Sequence, residues 1–96
     1  MKFTLIAGPC VIESAEHCHF LADSIHGLVG DFIFKASFDK ANRSSIHSYR
    51  GPGMKEGLAI LASIRAKGIP VLTDIHEASQ ADEVAESVDV LQIPAF

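Results

Sequence analysis

The sequence has few cysteines, no long apolar run and no general excess of basic residues. Its two cysteines, Cys10 and Cys18, are too few for a disulfide framework, so reduced thiols are expected. No run approaches the roughly 18 to 20 apolar residues that a membrane helix needs. Residues 1–9 are too short, and too soon interrupted by a Gly-Pro pair, for a signal peptide. These absences predict a cytoplasmic protein without a membrane partner.

The formal net charge of the 96 residues is −4, which does not favour nucleic acid as a partner, because nucleic-acid binding needs a broad basic face. With 48% hydrophobic and 21% charged residues, the chain has the composition of one globular domain at most. Positive charge is concentrated in residues 35–50, where four cations and Asp39 give a net charge of +3. The expected partners are therefore small anions.

This basic segment, residues 35–50, reads KASFDKANRSSIHSYR and lies between an apolar run and a Gly-Pro-Gly turn, so it is predicted to be a loop at a strand end. Serine and asparagine side chains stand between its cations, and such groups help to orient phosphate or carboxylate oxygens. We interpret the segment as an anion-binding loop. A solvated basic loop is the alternative that composition leaves open.

Short apolar runs predict four strands, at residues 3–7, 31–34, 69–73 and 89–93. The first run does not alternate with polar residues, so burial on both faces is expected. A first helix is predicted between Ser14, a suitable N-cap, and Gly30, a suitable stop. Its apolar positions share one helical face: Cys18, Leu21, Ala22, Ile25, Leu28 and Val29.

Two further helices are predicted between the later strands. The second has its apolar face at Met54, Leu58, Leu61 and Ala62, and Gly68 provides the stop signal. The third is weaker, with capping-box spacing at residues 79–82. Its apolar face consists of Ala81, Val84, Ala85 and Val88.

The order alternates strand and helix without hairpin turns, which predicts an α/β protein with a parallel sheet and right-handed crossovers. One polar residue stands at or after the end of each strand: Cys10, Lys35, Asp74 and Gln92. In a (β/α)8 TIM barrel these ends open on one face, so the four residues are predicted to face one cavity. A doubly wound sheet is the alternative, but no dinucleotide fingerprint or Walker loop follows the first strand.

The length is short for this fold, because a barrel of eight units runs to about 250 residues. Residues 1–96 are expected to form the N-terminal part of a single (β/α)8 barrel domain, with four strands and three helices. The chain by itself is expected to be inactive.

Four stretches together carry a resemblance to a known family: AGPC at residues 7–10, FKASFDKANRSS at 34–45, TDIHE at 73–77 and QIPAF at 92–96. The sequence resembles the 3-deoxy-D-manno-octulosonate 8-phosphate synthases along its whole length. The resemblance implies a TIM-barrel enzyme that condenses phosphoenolpyruvate with D-arabinose 5-phosphate and water, releasing phosphate. That reaction belongs to the biosynthesis of a lipopolysaccharide sugar.

The resemblance also implies how the first substrate is bound. Lys35, Ser37 and Lys40 would hold phosphoenolpyruvate, and Lys40 would take part in catalysis. Gln92 would lie beside the same substrate. Fixed cations suit this purpose, because they can favour a transition state in which phosphate departs.

Arabinose 5-phosphate would be bound by Asn42, Arg43 and Ser44, of which the last two would serve a neighbouring subunit's site in a homo-oligomer, a tetramer by resemblance. Asp74 would be catalytic and would contact the sugar hydroxyls near the aldehyde. From the residues alone, without the resemblance, a loop or helix cap is the preferred interpretation of Asp74. Phe96 would lie near the subunit interface.

Cys10 ends a Gly-Pro turn, and a thiolate at such a strand exit suits a divalent metal ion, although a structural cysteine remains open. In the resembled family, metal-dependent members have Cys at this place and metal-independent members have Asn. The resemblance therefore implies the metal-dependent class, with zinc, iron or manganese as the ion. The remaining ligands, a His, a Glu and an Asp, would lie outside these 96 residues.

Two rival functions remain. The 3-deoxy-D-arabino-heptulosonate 7-phosphate synthases share the Gly-Pro-Cys turn and phosphoenolpyruvate, but their sugar loop typically reads Lys-Pro-Arg-Thr-Ser. Here residues 40–45 read KANRSS, with an added Asn and no Pro. The second rival is a non-catalytic half-barrel that binds sugar phosphates or assembles with a second half.

Overall fold

The computed structural model describes residues 2–40 and 49–95, and in them four strands alternate with three helices. The strands are β1 (Ile6–Ala7), β2 (Ile33–Lys35), β3 (Val71–Asp74) and β4 (Val90–Gln92). The helices are α1 (Ala15–Val29), α2 (Met54–Arg65) and α3 (Ala81–Ala85), the last preceded by a 3-10 turn at Ala78–Gln80. None of the helices in this described part is long and apolar enough to cross a membrane.

The strands form one parallel sheet in the order β1-β2-β3-β4, which is also their order along the chain. Each helix connects two neighbouring strands, as parallel pairing requires. The predicted α/β class is confirmed, and the architecture is that of the first four strands and three helices of a (β/α)8 barrel.

Helix α1 begins and ends at the predicted residues. Ser14 is the N-cap, and its hydroxyl accepts a hydrogen bond from the backbone N–H of His17 at 3.0 Å. Gly30 ends the helix with φ 77°, and its N–H donates to the carbonyl of His26. The apolar face of α1 extends into its last turn, but it is not covered there, since Leu28 is 85% exposed and Val29 50% exposed. The periodicity of the sequence identified which face of α1 is apolar, but not how much of that face is buried by the rest of the protein.

The core lies between the two central strands and the helices, with α2 contributing most to it. Phe34 of β2 and Val71 of β3 are fully buried, as are Leu61 and Ile64 of α2 and Val84 of α3. The expected burial of the first strand on both faces is wrong. Ile6 is 47% exposed, because β1 is an edge strand that pairs only with β2 in the described part of the chain.

The cap of the third helical segment also differs from the predicted residues 79–82. Glu77 has the extended backbone of an N-cap, with φ −137° and ψ 142°, and forms a reciprocal capping box with Gln80. Ser79 already lies inside the 3-10 turn, and its hydroxyl donates to Glu77 Oε2 at 3.4 Å. Of the predicted apolar face, Val84 and Val88 are buried, whereas Ala85 is exposed.

An ion pair fastens the amino-terminal edge of the sheet. Asp89 accepts a hydrogen bond from the Val71 backbone N–H through Oδ2 at 2.9 Å and pairs with Arg65 Nε through Oδ1 at 3.2 Å. The Asp89 N–H in turn donates to the Val71 carbonyl. These contacts join α2, β3 and β4 at the edge opposite to the carboxyl ends of the strands.

Candidate active site

The parallel register places the four predicted strand-end residues at one edge of the sheet. Lys35 is the last residue of β2, and Asp74 pairs with Gln92 at the ends of β3 and β4. Cys10 follows β1, and its carbonyl accepts a hydrogen bond from the Ser37 N–H at 3.2 Å. The common edge is confirmed, whereas a single cavity shared by all four side chains stays a prediction.

Two buried polar side chains at this edge have unmet hydrogen-bonding capacity. Ser37 is 1% exposed and Asp74 is 5% exposed. Neither the Ser37 hydroxyl nor Asp74 Oδ1 has a hydrogen-bond partner among the described residues. A buried polar atom left in this state costs about 1–3 kcal/mol, and such groups are characteristic of functional sites. The pair is therefore a candidate site for a polar ligand.

Asp74 is not a helix cap, which was the structural alternative for this residue. It ends β3, and the capping role that follows belongs to Glu77. Its second oxygen, Oδ2, lies 3.5 Å from His76 Nε2. A buried carboxylate at a strand end, one oxygen of which has no hydrogen-bond partner among the described residues, is suited to accept hydrogen bonds from a hydroxyl-rich substrate.

Sequence reasoning missed Thr73 of β3, whose side chain bonds the backbone of the β2 segment at the site. Its side chain is fully buried, and its hydroxyl donates to the Ala36 carbonyl at 2.7 Å. Ala36 lies between Lys35 and Ser37, so this bond fixes the β2 segment that carries both candidate ligands. The sequence held no signal for it, because the two bonded residues are 37 positions apart.

The ends of the basic segment are joined by a group of contacts around Asp39. Arg50 Nε and Nη2 donate to the two Asp39 carboxylate oxygens, each at 3.0 Å. The Lys40 backbone N–H donates to the Arg50 carbonyl at 2.7 Å. We call Asp39, Lys40 and Arg50 the loop neck. Arg50 is thus engaged in an ion pair with Asp39, and anion binding by the segment stays a prediction.

Four predicted site residues lie outside the described residues: Asn42, Arg43, Ser44 and Phe96. Their roles remain predictions.

The turn between β1 and Cys10 depends on a close approach of two backbones. A Cβ atom at Gly8 would lie 1.9 Å from the Lys35 carbonyl oxygen. Gly8 does not have a positive φ, so space rather than conformation requires glycine here. Glycine at the first position of the Gly-Pro-Cys motif therefore allows the chain after β1 to lie against the Lys35 backbone.

The two cysteines lie in different environments. Cys18 is fully buried in α1, and burial together with the negative charge of Glu13 raises the pKa of its thiol. Cys10 is exposed at the site edge. The described residues contain no group of three or more His, Cys, Asp or Glu side chains that could hold a metal. They supply one candidate ligand, Cys10, and no complete site, so we assign no chemical step to a metal.

Comparison with known proteins places the chain among enzymes of one name. It is 56% identical over 100 residues to 2-dehydro-3-deoxyphosphooctonate aldolase of Fusobacterium nucleatum, covering 99% of this chain and 36% of that relative. Proteins of the same name from a Cyanothece species and Campylobacter jejuni are 57% and 54% identical, covering 98% and 99% of this chain. This name denotes 3-deoxy-D-manno-octulosonate 8-phosphate synthase, so the resemblance drawn from the motifs is confirmed.

The chain spans little more than a third of the length of these relatives, between 36% and 37%. The model of the DAHP synthetase I family matches residues 1–96 of this chain. The chain belongs to the DAHP synthetase I family.

Proposed function

We propose that the protein condenses phosphoenolpyruvate with D-arabinose 5-phosphate and water, giving 3-deoxy-D-manno-octulosonate 8-phosphate and inorganic phosphate. The observation that carries the proposal is the 54–57% identity, over nearly the whole chain, to relatives named for this octulosonate. The geometry supports it, because the candidate substrate residues that the structure describes share one edge of the sheet.

The chemistry assigns a task to each part of this edge. A carbon–carbon bond forms between the methylene carbon of phosphoenolpyruvate and the aldehyde carbon of the sugar. Water oxygen adds to the carbon that bore phosphate, and phosphate leaves. Lys35 and Lys40 would offset the charge of the phosphate and carboxylate, and Ser37 would orient one of these groups through its buried hydroxyl.

Asp74 would act on the second substrate. Its buried carboxylate can accept hydrogen bonds from sugar hydroxyls and hold the aldehyde in line with phosphoenolpyruvate. Its negative charge would also stabilise positive character on the carbon that loses phosphate. Gln92 is paired with Asp74 across β3 and β4 and would lie beside phosphoenolpyruvate.

The wider setting is also proposed from the family resemblance. Asn42, Arg43 and Ser44 would bind the sugar phosphate, with Arg43 and Ser44 reaching a neighbouring subunit's site in a tetramer. Phe96 would lie near the same interface. The reaction would take place in the cytoplasm and serve lipopolysaccharide biosynthesis.

The rival activity in the family differs in the length of the sugar. An eight-carbon product requires a five-carbon aldose phosphate, whereas the seven-carbon product of a heptulosonate synthase requires four carbons. The two reactions are distinguished by an assay of the intact protein, meaning the complete barrel of which residues 1–96 are expected to form the N-terminal part. It is assayed with phosphoenolpyruvate and either arabinose 5-phosphate or erythrose 4-phosphate. Phosphate release and product mass are measured together.

We expect stoichiometric phosphate and an eight-carbon product with arabinose 5-phosphate, at a kcat/KM about 100-fold or more above that for erythrose 4-phosphate. Preferred use of erythrose 4-phosphate would establish the heptulosonate reaction instead. If neither sugar phosphate reacts, although phosphoenolpyruvate and arabinose 5-phosphate both bind, the protein is a non-catalytic half-barrel that binds sugar phosphates.

The metal proposal concerns Cys10 alone. As a ligand of zinc, iron or manganese it would be a charged thiolate, and replacing it by Asn would remove that charge. We expect the metal content of purified Cys10→Asn protein to fall about tenfold or more, measured by elemental analysis after dialysis against a weak chelator. Cys18→Ala is the matched control, because Cys18 is buried in α1 and should not alter metal content. Full turnover of the unsubstituted protein at zero bound metal would show that Cys10 is a structural thiol.

A further inference from the structure

His76 connects the loop neck to the end of β3. Its Nε2 lies 2.6 Å from the Asp39 carbonyl oxygen, and a carbonyl only accepts hydrogen bonds. Nε2 therefore carries a proton and donates it to the backbone of the loop neck. The same nitrogen lies 3.5 Å from Asp74 Oδ2, so one imidazole edge faces both the loop and the buried site carboxylate.

The imidazole is fixed from other directions as well. The His76 side chain is 17% exposed, and its ring packs edge-on against Phe38 with the ring centroids 6.4 Å apart. Its backbone N–H donates to Gln80 Oε1 at 2.9 Å, within the turn that follows β3. A side chain held in this way cannot swing freely and is suited to fix the position of what it bonds.

Asp39 receives contacts on both its main chain and its side chain. The carbonyl accepts from His76, while the carboxylate accepts two bonds from Arg50. Lys40 follows directly and donates its own N–H to the Arg50 carbonyl. The position of Lys40 relative to Asp74 is therefore set through Asp39, by His76 from the β3 side and by Arg50 from within the loop.

We propose that His76 is a positioning residue, which fastens the loop neck to β3 and so places Lys40 opposite Asp74 for the reaction. This inference rests on the proposed function, since it assigns Lys40 and Asp74 to the same reaction. A displacement of about 1 Å in a substrate-holding group can cost on the order of 100-fold in rate. His76 acts through the Asp39 backbone rather than on the substrate.

The test separates the hydrogen bond from the packing of the ring. His76→Phe keeps a ring against Phe38 but removes the donor, whereas His76→Gln keeps an N–H group of similar reach. We expect His76→Phe to lower kcat/KM about 10- to 100-fold, and His76→Gln to recover most of that loss. Arg65→Ala is the control variant. It breaks the Arg65–Asp89 ion pair, which lies at the opposite edge of the sheet and is about as exposed as the Arg50–Asp39 pair of the loop neck. Its kcat and KM should stay those of the unsubstituted protein.

A double-mutant cycle then distinguishes positioning from direct catalysis. If His76 and Arg50 act on the same loop neck, the losses from His76→Phe and Arg50→Ala will be less than additive in the double variant. Additive losses, or a His76→Phe protein with unchanged kcat and KM, would overturn the inference.

A second readout does not depend on activity. Trypsin cleaves after Lys40 and Arg50, and loss of the His76 bond should raise the rate of cleavage at these positions about tenfold relative to Arg65→Ala. If the unsubstituted protein condenses no aldose phosphate, the proposed function fails, yet the cleavage rates still decide whether His76 holds the loop neck. Unchanged cleavage in His76→Phe would contradict that role whatever the activity.

Discussion

Replacing Asp74 by Asn is expected to lower kcat/KM for the condensation by about 100- to 1000-fold, the range found when one preorganised electrostatic group is removed from an active site. The substitution keeps the size of the side chain and removes its charge. Stability should not fall, because Asp74 is 5% exposed with Oδ1 lacking a partner among the described residues. Neutralising a buried and incompletely paired carboxylate removes a desolvation cost.

The control for Asp74→Asn is Asp89→Asn. Asp89 is also an aspartate beside β3, but it lies at the opposite edge, where it accepts a hydrogen bond from the Val71 N–H and forms an ion pair with Arg65. Asp89→Asn should lower the melting temperature and leave kcat/KM within about twofold. Near-normal activity of Asp74→Asn, with a melting temperature as low as that of Asp89→Asn, would show that Asp74 is a structural residue.

Gly8→Ala is expected to destabilise the protein by about 2–3 kcal/mol, as overpacking of a rigid contact does. The added Cβ would meet the Lys35 carbonyl oxygen at 1.9 Å, and neither backbone can move aside without breaking the pairing of β1 with β2. Because the displaced carbonyl belongs to Lys35, activity should fall together with stability. Chemical denaturation and the condensation assay measure the two effects.

Gly27→Ala is the matched control for Gly8→Ala. Gly27 lies within α1, and a Cβ there would meet no atom within 4 Å. Alanine should stabilise the helix by about 0.5–1 kcal/mol and leave activity unchanged. A Gly8→Ala protein as stable as the unsubstituted one would refute the close approach of β1 to Lys35.

The elements that could be predicted from the sequence are those specified by neighbouring residues. Ser14 and Gly30 delimit α1 because a cap bonds within its own turn. The parallel sheet followed from the alternation of strands and helices, since a parallel pair needs a long crossover. The shared edge of Lys35, Asp74 and Gln92 followed from that topology alone.

The contacts that could not be predicted join residues far apart in the chain. His76 bonds Asp39 and Thr73 bonds Ala36, each across 37 positions, and neither pair has a local sequence pattern. The capping residue Glu77 was missed for a different reason. Ser79 matched the preferred type of N-cap residue, but the extended backbone needed for a cap occurs at Glu77.

Burial was predicted less well than secondary structure. An apolar run indicates a strand, yet exposure depends on what covers it, and Ile6 remains 47% exposed on an edge strand. The same reason applies to Leu28, which continues the apolar face of α1 beyond the covered part of the helix. Periodicity reports which face of an element is apolar and does not report its neighbours.

We propose that the carboxyl-terminal edge of this sheet binds phosphoenolpyruvate, and a crystal structure of the intact protein with phosphoenolpyruvate bound would show whether it does. We predict the ligand at the ends of β2 and β3, with an oxygen about 2.7–3.2 Å from Ser37 Oγ and from the Nζ of Lys35 or Lys40. Two results would contradict this proposal: phosphoenolpyruvate bound at the opposite edge, near Arg65, or phosphoenolpyruvate bound at the predicted edge without contact to Ser37 or without contact to either lysine.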